Sequence, residues 1–334
     1  MSEPVVIAVD GGNSKTELAL VRPDGSIAAL VRGAGCSPHQ IGADGCLELI
    51  GGLLERAREQ AADGHRAAAA VLLVAGADLD EEEAELERRA RERGWADDLT
   101  VGNDTLAVLR AGSENGRGIA IVCGAGINAL AVAPDGSEAR FPALGAITGD
   151  WGGGVDVGVA ALGAAVRAED GRGEQTALAR RVPAHFALAS AEEVAFAVHR
   201  GELAYAELGD LAPLVFAAAE DGDAVCGRLR ERLADEIVAF ARAAARRVLQ
   251  DVDGYDVVLG GSLLTHSPAL VASIAARLRH ELPAARPLVC DVPPVTGSAL
   301  IGLERIGAGA GARARLQSEI QALSGDGGAN GAAP

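Results

Sequence analysis

Two stretches of this chain share one layout, and that repeat constrains the fold more than any other feature. In the first, an apolar strand reaches the polar turn 10–16, a second strand follows, and Pro-Asp-Gly-Ser at 23–26 leads into a third. In the second, the strand 119–123, the turn 124–126 and another strand are followed by Pro-Asp-Gly-Ser at 134–137. Proline presets φ and glycine tolerates positive φ, so both tetrapeptides are turns. The sequence therefore predicts two similar three-stranded units, one opening each of two domains.

Helical and β-rich segments alternate in the rest of the chain. Helical periodicity covers 43–62, 81–93, 224–249 and 268–282, and β-rich runs cover 68–74, 99–101 and 256–259. This alternation predicts an α/β protein. We place the two domains at residues 1–112 and 113–308, with the hinge in the polar, glycine-rich segment 111–118. A helix at about 309–323 is expected to pack back on the first domain, and the tail 324–334 is expected to be disordered.

The polar turns suggest a phosphate site. Hairpin turns built from Gly11-Gly12-Asn13-Ser14 or Gly124-Ala125-Gly126 leave backbone N–H groups free to converge on an anion. Neither turn has the P-loop spacing, and neither opens a helix as a dinucleotide-binding turn does. Because the arrangement occurs twice, we expect a nucleotide to be bound by hairpins rather than by a helix N-terminus.

The net charge of the chain limits the kinds of partner that it can bind. The net charge of −17 excludes a broad nucleic-acid or membrane-binding surface, because such a field repels phosphates except where a site is locally shaped. Lys15 is the only lysine of the chain and lies inside the first polar turn. It is either a compact cation for a phosphate or a solvated turn residue.

Two aspartates end strands at positions suited to catalysis. Asp10 precedes the first turn, where a carboxylate beside phosphates would hold Mg²⁺ through water; its alternative role is to form the turn. Asp104 follows a short strand and begins a helical run. It is either a general base for a hydroxyl that attacks a phosphoryl group or a helix N-cap, and the two roles are compatible.

The N-terminal residues, the apolar runs and the cysteine spacing predict where the protein is located and whether its cysteines are oxidised. Residues 1–4 carry no basic stretch, and the apolar run 67–77 is shorter than a membrane span, so we expect a cytoplasmic protein without a membrane partner. The five cysteines show no CxxC pairs and are expected to be free thiols.

Five motifs in order carry a resemblance that covers about residues 4–307. They are the run from Asp10 to Glu17, Asn103-Asp104, the run from Gly124 to Asn128, Gly149-Asp150 and Gly260-Gly261-Ser262. Together they resemble the BadF/BadG/BcrA/BcrD ATPase family, which includes the eukaryotic-type N-acetylglucosamine kinases. The resemblance implies a two-domain actin-like ATPase fold, ribonuclease H-like, with duplicated βββαβα units around an interdomain cleft.

The resemblance also implies roles for particular residues, with ATP and Mg²⁺ as cofactors and Asp104 as the catalytic base. The ATP-binding positions are Gly11, Gly12, Asn13, Ser14, Lys15 and Thr16 in the first hairpin, Gly124, Ala125 and Gly126 in the second, and Gly260, Gly261 and Ser262 in an adenosine motif. The sugar-binding positions are Ser37, Asp104, Ile127, Asn128, Gly145, Asp150 and Trp151, and Asp10 is the magnesium partner.

Three positions depart from the family pattern. Ser37 stands where N-acetylglucosamine kinases carry a sugar-binding Asn, Ala125 replaces a Thr of the second hairpin, and Trp151 replaces a Glu. Trp151 either stacks on a sugar face or packs as an interdomain core residue. The departures leave the substrate more open than the fold.

The function implied is an ATP-dependent kinase, acting on the 6-hydroxyl of an amino sugar such as N-acetylglucosamine and forming a homodimer. Glucosamine, N-acetylmuramic acid and other hexoses remain open as substrates. The alternatives are a catalytically silent sugar sensor and an ATPase that activates a dehydratase or reductase through a bridging iron–sulfur cluster. Cys123 and Cys226 do not show the ligand pattern that such a cluster needs.

Overall fold

The computed structural model describes residues 5–61 and 67–326. Two compact units divide the chain. The described residues within 1–118 and 290–334 form the first unit, and residues 119–289 form the second. The first unit is therefore built from both ends of the chain.

A five-stranded sheet forms the centre of the first unit. Its strands are β1 (Val5–Gly11), β2 (Lys15–Val21), β3 (Ile27–Ala34), β4 (Ala67–Val74) and β5 (Ala96–Asn103). Their order is β3-β2-β1-β4-β5, with β1 antiparallel to β2 and parallel to β4. The turn between β1 and β2 is shorter than the predicted 10–16, because Asp10 pairs with Glu17 and Gly11 with Thr16 in the ladder.

Three helices follow these strands along the chain. They are α1 (Pro38–Ala61), with a break at Gly42 where φ is 75°, α2 (Asp80–Glu92) and α3 (Asp104–Gly112). Ile7 and Leu18 pack with Leu47 and Ile50 of α1 in one hydrophobic cluster. Burying this face of the sheet against α1 stabilises the unit, at about 1.5–3 kcal/mol for each large apolar side chain.

The second unit repeats the topology of the first. Its strands are β6 (Gly118–Cys123), β7 (Ile127–Val132), β8 (Glu138–Arg140), β9 (Tyr255–Gly260) and β10 (Ala285–Val289). The sheet order, read as β8-β7-β6-β9-β10, matches β3-β2-β1-β4-β5. Its helices are α4 (Gly153–Glu169), α5 (Leu178–His185), α6 (Ala191–His199), α7 (Ala212–Glu220), α8 (Ala224–Val248), α9 (Ser262–Thr265) and α10 (Pro268–Glu281). The duplication predicted from the sequence is thus present in the strand order.

The two Pro-Asp-Gly-Ser segments form matching turns. Gly25 and Gly136 both have φ of 87°. In each turn the serine backbone N–H donates to the preceding aspartate, over 2.9 Å to Asp24 and 2.9 Å to Asp135. The two tetrapeptides therefore share their local structure as well as their sequence.

Two C-terminal helices, α11 (Val295–Arg305) and α12 (Ala310–Asp326), belong to the first unit. The Ser298 hydroxyl donates to the Val9 carbonyl over 2.8 Å, and a Cβ on Gly302 would lie 2.2 Å from Val6 Cγ1. Residues 290–308 thus differ from the prediction that assigned them to the second domain, because α11 closes the open face of the first sheet. Residues 324–326 are helical, and the rest of the predicted tail lies outside the described residues.

Two further findings concern the described part of the chain. None of its helices is long and apolar enough to cross a membrane. All five cysteines are free thiols with buried side chains.

Candidate active site

The first hairpin packs tightly against the loop after β3, and its tip is exposed. A Cβ on Gly11 would lie 2.4 Å from Cys36 Sγ, so only glycine fits between β1 and the loop after β3. Gly12 N–H donates to the Lys15 carbonyl over 2.8 Å, and a Cβ on Gly35 would lie 2.1 Å from the Asn13 carbonyl oxygen. Asn13, Ser14 and Lys15 are exposed. Backbone and side-chain donors at the tip are therefore accessible to an anion.

Glu17 places a second buried carboxylate beside Asp10, and no role was predicted for it from the sequence. The two residues are cross-strand partners, with Asp10 8% exposed and Glu17 3% exposed. Glu17 Oε1 lies 3.4 Å from Lys15 Nζ and accepts from Arg32 Nε over 3.0 Å. Glu17 Oε2 is buried and has no hydrogen-bond partner among the described residues. A glutamate inside the otherwise apolar strand 17–21 is the signal that could have identified it.

These carboxylates fit a hard divalent cation. Burial raises the pKa of Asp10 well above its usual range, and the charges of Asp104 and Glu17 add to the rise. A cation would relieve this repulsion and satisfy the unpartnered oxygen of Glu17. Mg²⁺ commonly keeps several waters and takes only one or two carboxylates, so the donor set suits it. Among the residues that the structure describes, no group of three or more His, Cys, Asp or Glu side chains is placed to hold a metal directly.

Asp104 is the first residue of α3, and Asn103 caps the helix. The Asn103 side chain accepts from Thr105 N–H over 3.0 Å and from Thr105 Oγ1 over 2.6 Å. The alternative N-cap role for Asp104 is thus wrong, because its neighbour occupies that position. Desolvation and the nearby charge of Asp78 raise the pKa of Asp104 to about 7. Hydrogen bonds from the backbone N–H groups of Thr105 and of Asp104 itself act in the opposite direction and lower it. A carboxylate with such a pKa can exchange a proton near neutral pH.

Ser37 lies in the same unit, in the loop between β3 and α1. Its side chain is almost fully buried, at 1% exposure. Gly76 lies in the turn after β4 and has φ of 80°. A Cβ on this glycine would lie 2.5 Å from Ser37 Oγ. The loops after β3 and β4 therefore meet at Ser37.

The second hairpin in the other unit rests on the start of α4. Gly124 accepts from Gly154 N–H over 2.7 Å, and Ala125 accepts from Val155 N–H over 3.1 Å. No heavy atom of the described residues lies within 4 Å of a Cβ built on Gly124 or Gly126. Packing within this unit therefore does not require glycine at these two positions, whereas close approach of a ligand would.

The predicted adenosine motif lies directly against this hairpin. Gly261 has φ of 93°, and a Cβ there would lie 2.4 Å from the carbonyl oxygen of Cys123, the last residue of β6. Gly260 ends β9 and Ser262 begins α9. The structure thus brings two of the sequence-predicted ATP motifs together within the second unit.

Three of the predicted sugar-binding residues of the second unit, Gly145, Asp150 and Trp151, lie in the loop between β8 and α4. Gly145 opens a 3-10 turn and accepts from Asp150 N–H over 3.0 Å, and Asp150 in turn accepts from the Thr148 hydroxyl. Gly152, at the end of this loop, packs against Ile127 at the start of β7, since a Cβ on Gly152 would lie 3.0 Å from Ile127 Cγ2. Asn128, next along β7, accepts from Ala129 N–H through its side chain over 2.7 Å.

Trp151 follows Asp150 and is partly buried against the core of the second unit. The guanidinium carbon of Arg232, on α8, lies 3.9 Å from the centre of the Trp151 ring. A cation over an indole face is a favourable contact. One face of Trp151 is therefore covered by Arg232.

Two known proteins similar to this chain are sugar kinases. It is 27% identical over 239 residues to the N-acetylmuramic acid/N-acetylglucosamine kinase of Clostridium acetobutylicum, covering 71% of this chain and 78% of the relative. It is 22% identical over 315 residues to the N-acetyl-D-glucosamine kinase of Dictyostelium discoideum, covering 91% and 99%.

Solved structures show the same fold. A candidate N-acetylglucosamine kinase from Chromobacterium violaceum superposes with a TM-score of 0.71 at 25% identity, covering 90% of this chain and 100% of that one. A ROK family glucokinase from Streptomyces griseus, solved with glucose and AMPPNP, gives a TM-score of 0.56 at 19% identity, covering 90% and 98%. This is the mixed α/β fold of the sugar kinases, with two five-stranded sheets. The model of the BadF/BadG/BcrA/BcrD ATPase family matches residues 7–302, and the chain belongs to that family.

Proposed function

We propose that this protein is an ATP-dependent kinase that phosphorylates an amino sugar such as N-acetylglucosamine, with the 6-hydroxyl as acceptor. The single observation that carries the proposal is Asp104. It is a partly buried carboxylate at the head of α3, with a pKa raised to about 7, in the unit that also holds the Lys15 hairpin. A base of this kind is what a sugar hydroxyl needs when it attacks a phosphoryl group.

Residues of both units take part in the proposed reaction. The tip of the first hairpin, with Lys15, and the turn of Gly124 and Gly126 bind phosphate oxygens through backbone N–H groups and one ammonium. Gly261 and its neighbours hold the nucleoside, while Asp150, Asn128 and Gly145 orient the sugar. Asp104 accepts the proton of the acceptor hydroxyl as the new O–P bond forms and the bond to ADP breaks.

Asp10, acting through water, and Glu17 are the residues that would hold Mg²⁺. When bound, the ion supplies positive charge that offsets the phosphate oxygens. Lys15 is free to leave Glu17 for a phosphate oxygen, because Arg32 also pairs with the same Glu17 oxygen.

Burial of the thiols argues against the activator alternative. Cys123 and Cys226 are both fully buried, and burial raises the pKa of each to about 12. A cluster that bridges two subunits needs thiolates at a surface that the partner can reach. Neither cysteine meets that requirement.

A coupled assay of ADP release tests the proposal. The assay uses Mg·ATP with N-acetylglucosamine, N-acetylmuramic acid, glucosamine, glucose or no sugar. We expect release that depends on an amino sugar and falls about 10²- to 10⁴-fold in Asp104→Asn, the range for loss of a general base. Asp44→Asn is the matched control, since Asp44 is 65% exposed on α1 and pairs with Arg89. Release without sugar, or an unaffected Asp104→Asn variant, would contradict the proposal.

A further inference from the structure

A hydrogen-bonded relay connects Asp78 to the start of α3. Asp78 Oδ1 accepts from Asn103 Nδ2 over 2.7 Å, and the same Asn103 nitrogen donates to the Ala77 carbonyl over 3.3 Å. The oxygen of that amide accepts both Thr105 bonds described above. Asn103 is buried, at 6% exposure, so its amide has one orientation that satisfies both ends.

Asp78 is itself fixed by groups on its other side. Its backbone N–H donates to Glu82 Oε2 over 3.0 Å, and Leu79 N–H donates to the same oxygen over 3.1 Å. His39 Nε2 lies 2.9 Å from Glu82 Oε1, and His39 Nδ1 lies 4.0 Å from Asp78 Oδ2. The Asp78 carboxyl is 9% exposed. Side chains from α1, from α2 and from the end of β5 thus surround Asp78.

The simplest structural role for Asp78, capping α2, is filled by other groups. Leu79 occupies the N-cap position of α2, and the Glu82 side chain bonds the backbone N–H groups there. The Asp78 carboxylate instead faces Asn103, one residue before Asp104. Two neighbouring carboxylates repel, which costs stability, yet the repulsion makes ionised Asp104 a stronger base.

We propose that Asp78 is a positioning residue for the kinase reaction: through Asn103 it holds the first turn of α3, and with it the Asp104 carboxylate, in one orientation during proton transfer. The inference rests on the proposed function, in which Asp104 is the base. Asp78 does not touch the substrate in this account. Its contribution is to the geometry of the reacting group, where small displacements are costly.

Three variants test the relay by steady-state kinetics and thermal unfolding. Asp78→Ala removes the acceptor, Asp78→Asn keeps an acceptor oxygen at the same place, and Asn103→Ser keeps a helix cap but loses the amide donor. We expect Asp78→Ala and Asn103→Ser to lower kcat by about 10- to 100-fold, with KM for ATP unchanged, because the base is misplaced while the nucleotide site is intact. Asp78→Asn should recover most of the lost kcat.

The double variant Asp78→Ala/Asn103→Ser provides the decisive comparison. If the two residues act through one relay, it is no slower than either single variant. Additive losses, equal losses in Asp78→Asn and Asp78→Ala, or lowered melting temperature with unchanged kcat would overturn the proposal. Should Asp78→Ala not fold, Asn103→Ser and Asp78→Asn still decide it. Full activity of Asp104→Asn would refute the proposed function instead, whatever Asp78 does.

Discussion

In the proposed reaction Asp104 must be ionised to accept a proton, and its surroundings make ionisation costly. Desolvation is the larger cause and the carboxylate of Asp78 the second, and together they raise its pKa to about 7. In general, acid–base catalysts work best with a pKa near the working pH. The burial that destabilises the charged form therefore suits the role that we propose for Asp104.

A pH dependence follows from this shift. Below pH about 7 the Asp104 carboxylate becomes protonated and cannot act as a base, so kcat/KM for the sugar should fall as the pH drops through that value. The measurement is kcat/KM for the sugar between about pH 5.5 and 9, since this ratio reports the free enzyme. A rate that stays level down to pH 5.5, well above the range of an ordinary aspartate, would contradict the assignment.

Some single residues could be identified from the sequence and others could not. Asp10, Asp104 and Lys15 stand at strand ends and turns, where the local pattern makes them candidates. No role was predicted for Glu17, because its pairing is with a residue far away in sequence, Arg32 on the neighbouring strand. The contact of Asp78 with Asn103, at the end of the next strand, is equally remote in sequence. Local spacing does not encode those pairings.

Packing requires glycine at some turn positions and not at others. Gly261 has φ of 93° and would press a Cβ against Cys123 O, 2.4 Å away. Gly126 has no described heavy atom within 4 Å of its Cβ position. Glycine at 261 is thus explained by the fold, while glycine at 126 is not.

This contrast predicts different outcomes for two substitutions. Gly126→Ala should leave the melting temperature unchanged but weaken ATP binding, because the new methyl occupies space that we propose for phosphate. Gly261→Ala should lower both, since strain at such positions costs about 1–3 kcal/mol. Gly163→Ala, on the exposed face of α4, is the matched control for ATP binding. Calorimetric titration and thermal unfolding measure the two quantities, and unchanged ATP affinity in Gly126→Ala would argue against the second hairpin as a phosphate site.

Local elements were largely predictable. Both Pro-Asp-Gly-Ser turns and the alternating strands carry their own chemistry, so their positions follow from short stretches. The turn 10–16 was predicted too long because residues 10, 11, 15 and 16 pair with neighbouring strands, which local composition does not reveal. Pairing with a neighbouring strand outweighed local preference.

At the level of the whole molecule, the first unit is discontinuous, and that was not readable from the sequence. Residues 290–308 resemble a continuation of the second domain, yet α11 packs against β1 and donates from Ser298 to Val9. Burial of the apolar face of β1 and β2 decides the outcome, because Val6 and Ala8 need a cover that the preceding helices do not supply. The duplicated strand order was predictable because each copy carries its own turns.

The fate of the γ-phosphoryl group tests the proposed activity most directly. Single-turnover reactions with γ-labelled ATP and N-acetylglucosamine, or N-acetylmuramic acid, show whether the label reaches the sugar or water. The account predicts label on the sugar in the parent protein and transfer about 10²- to 10⁴-fold slower in Asp104→Asn, with ATP still bound. Label found only in inorganic phosphate, at a rate that does not depend on sugar, would contradict it and favour an ATPase that drives another protein.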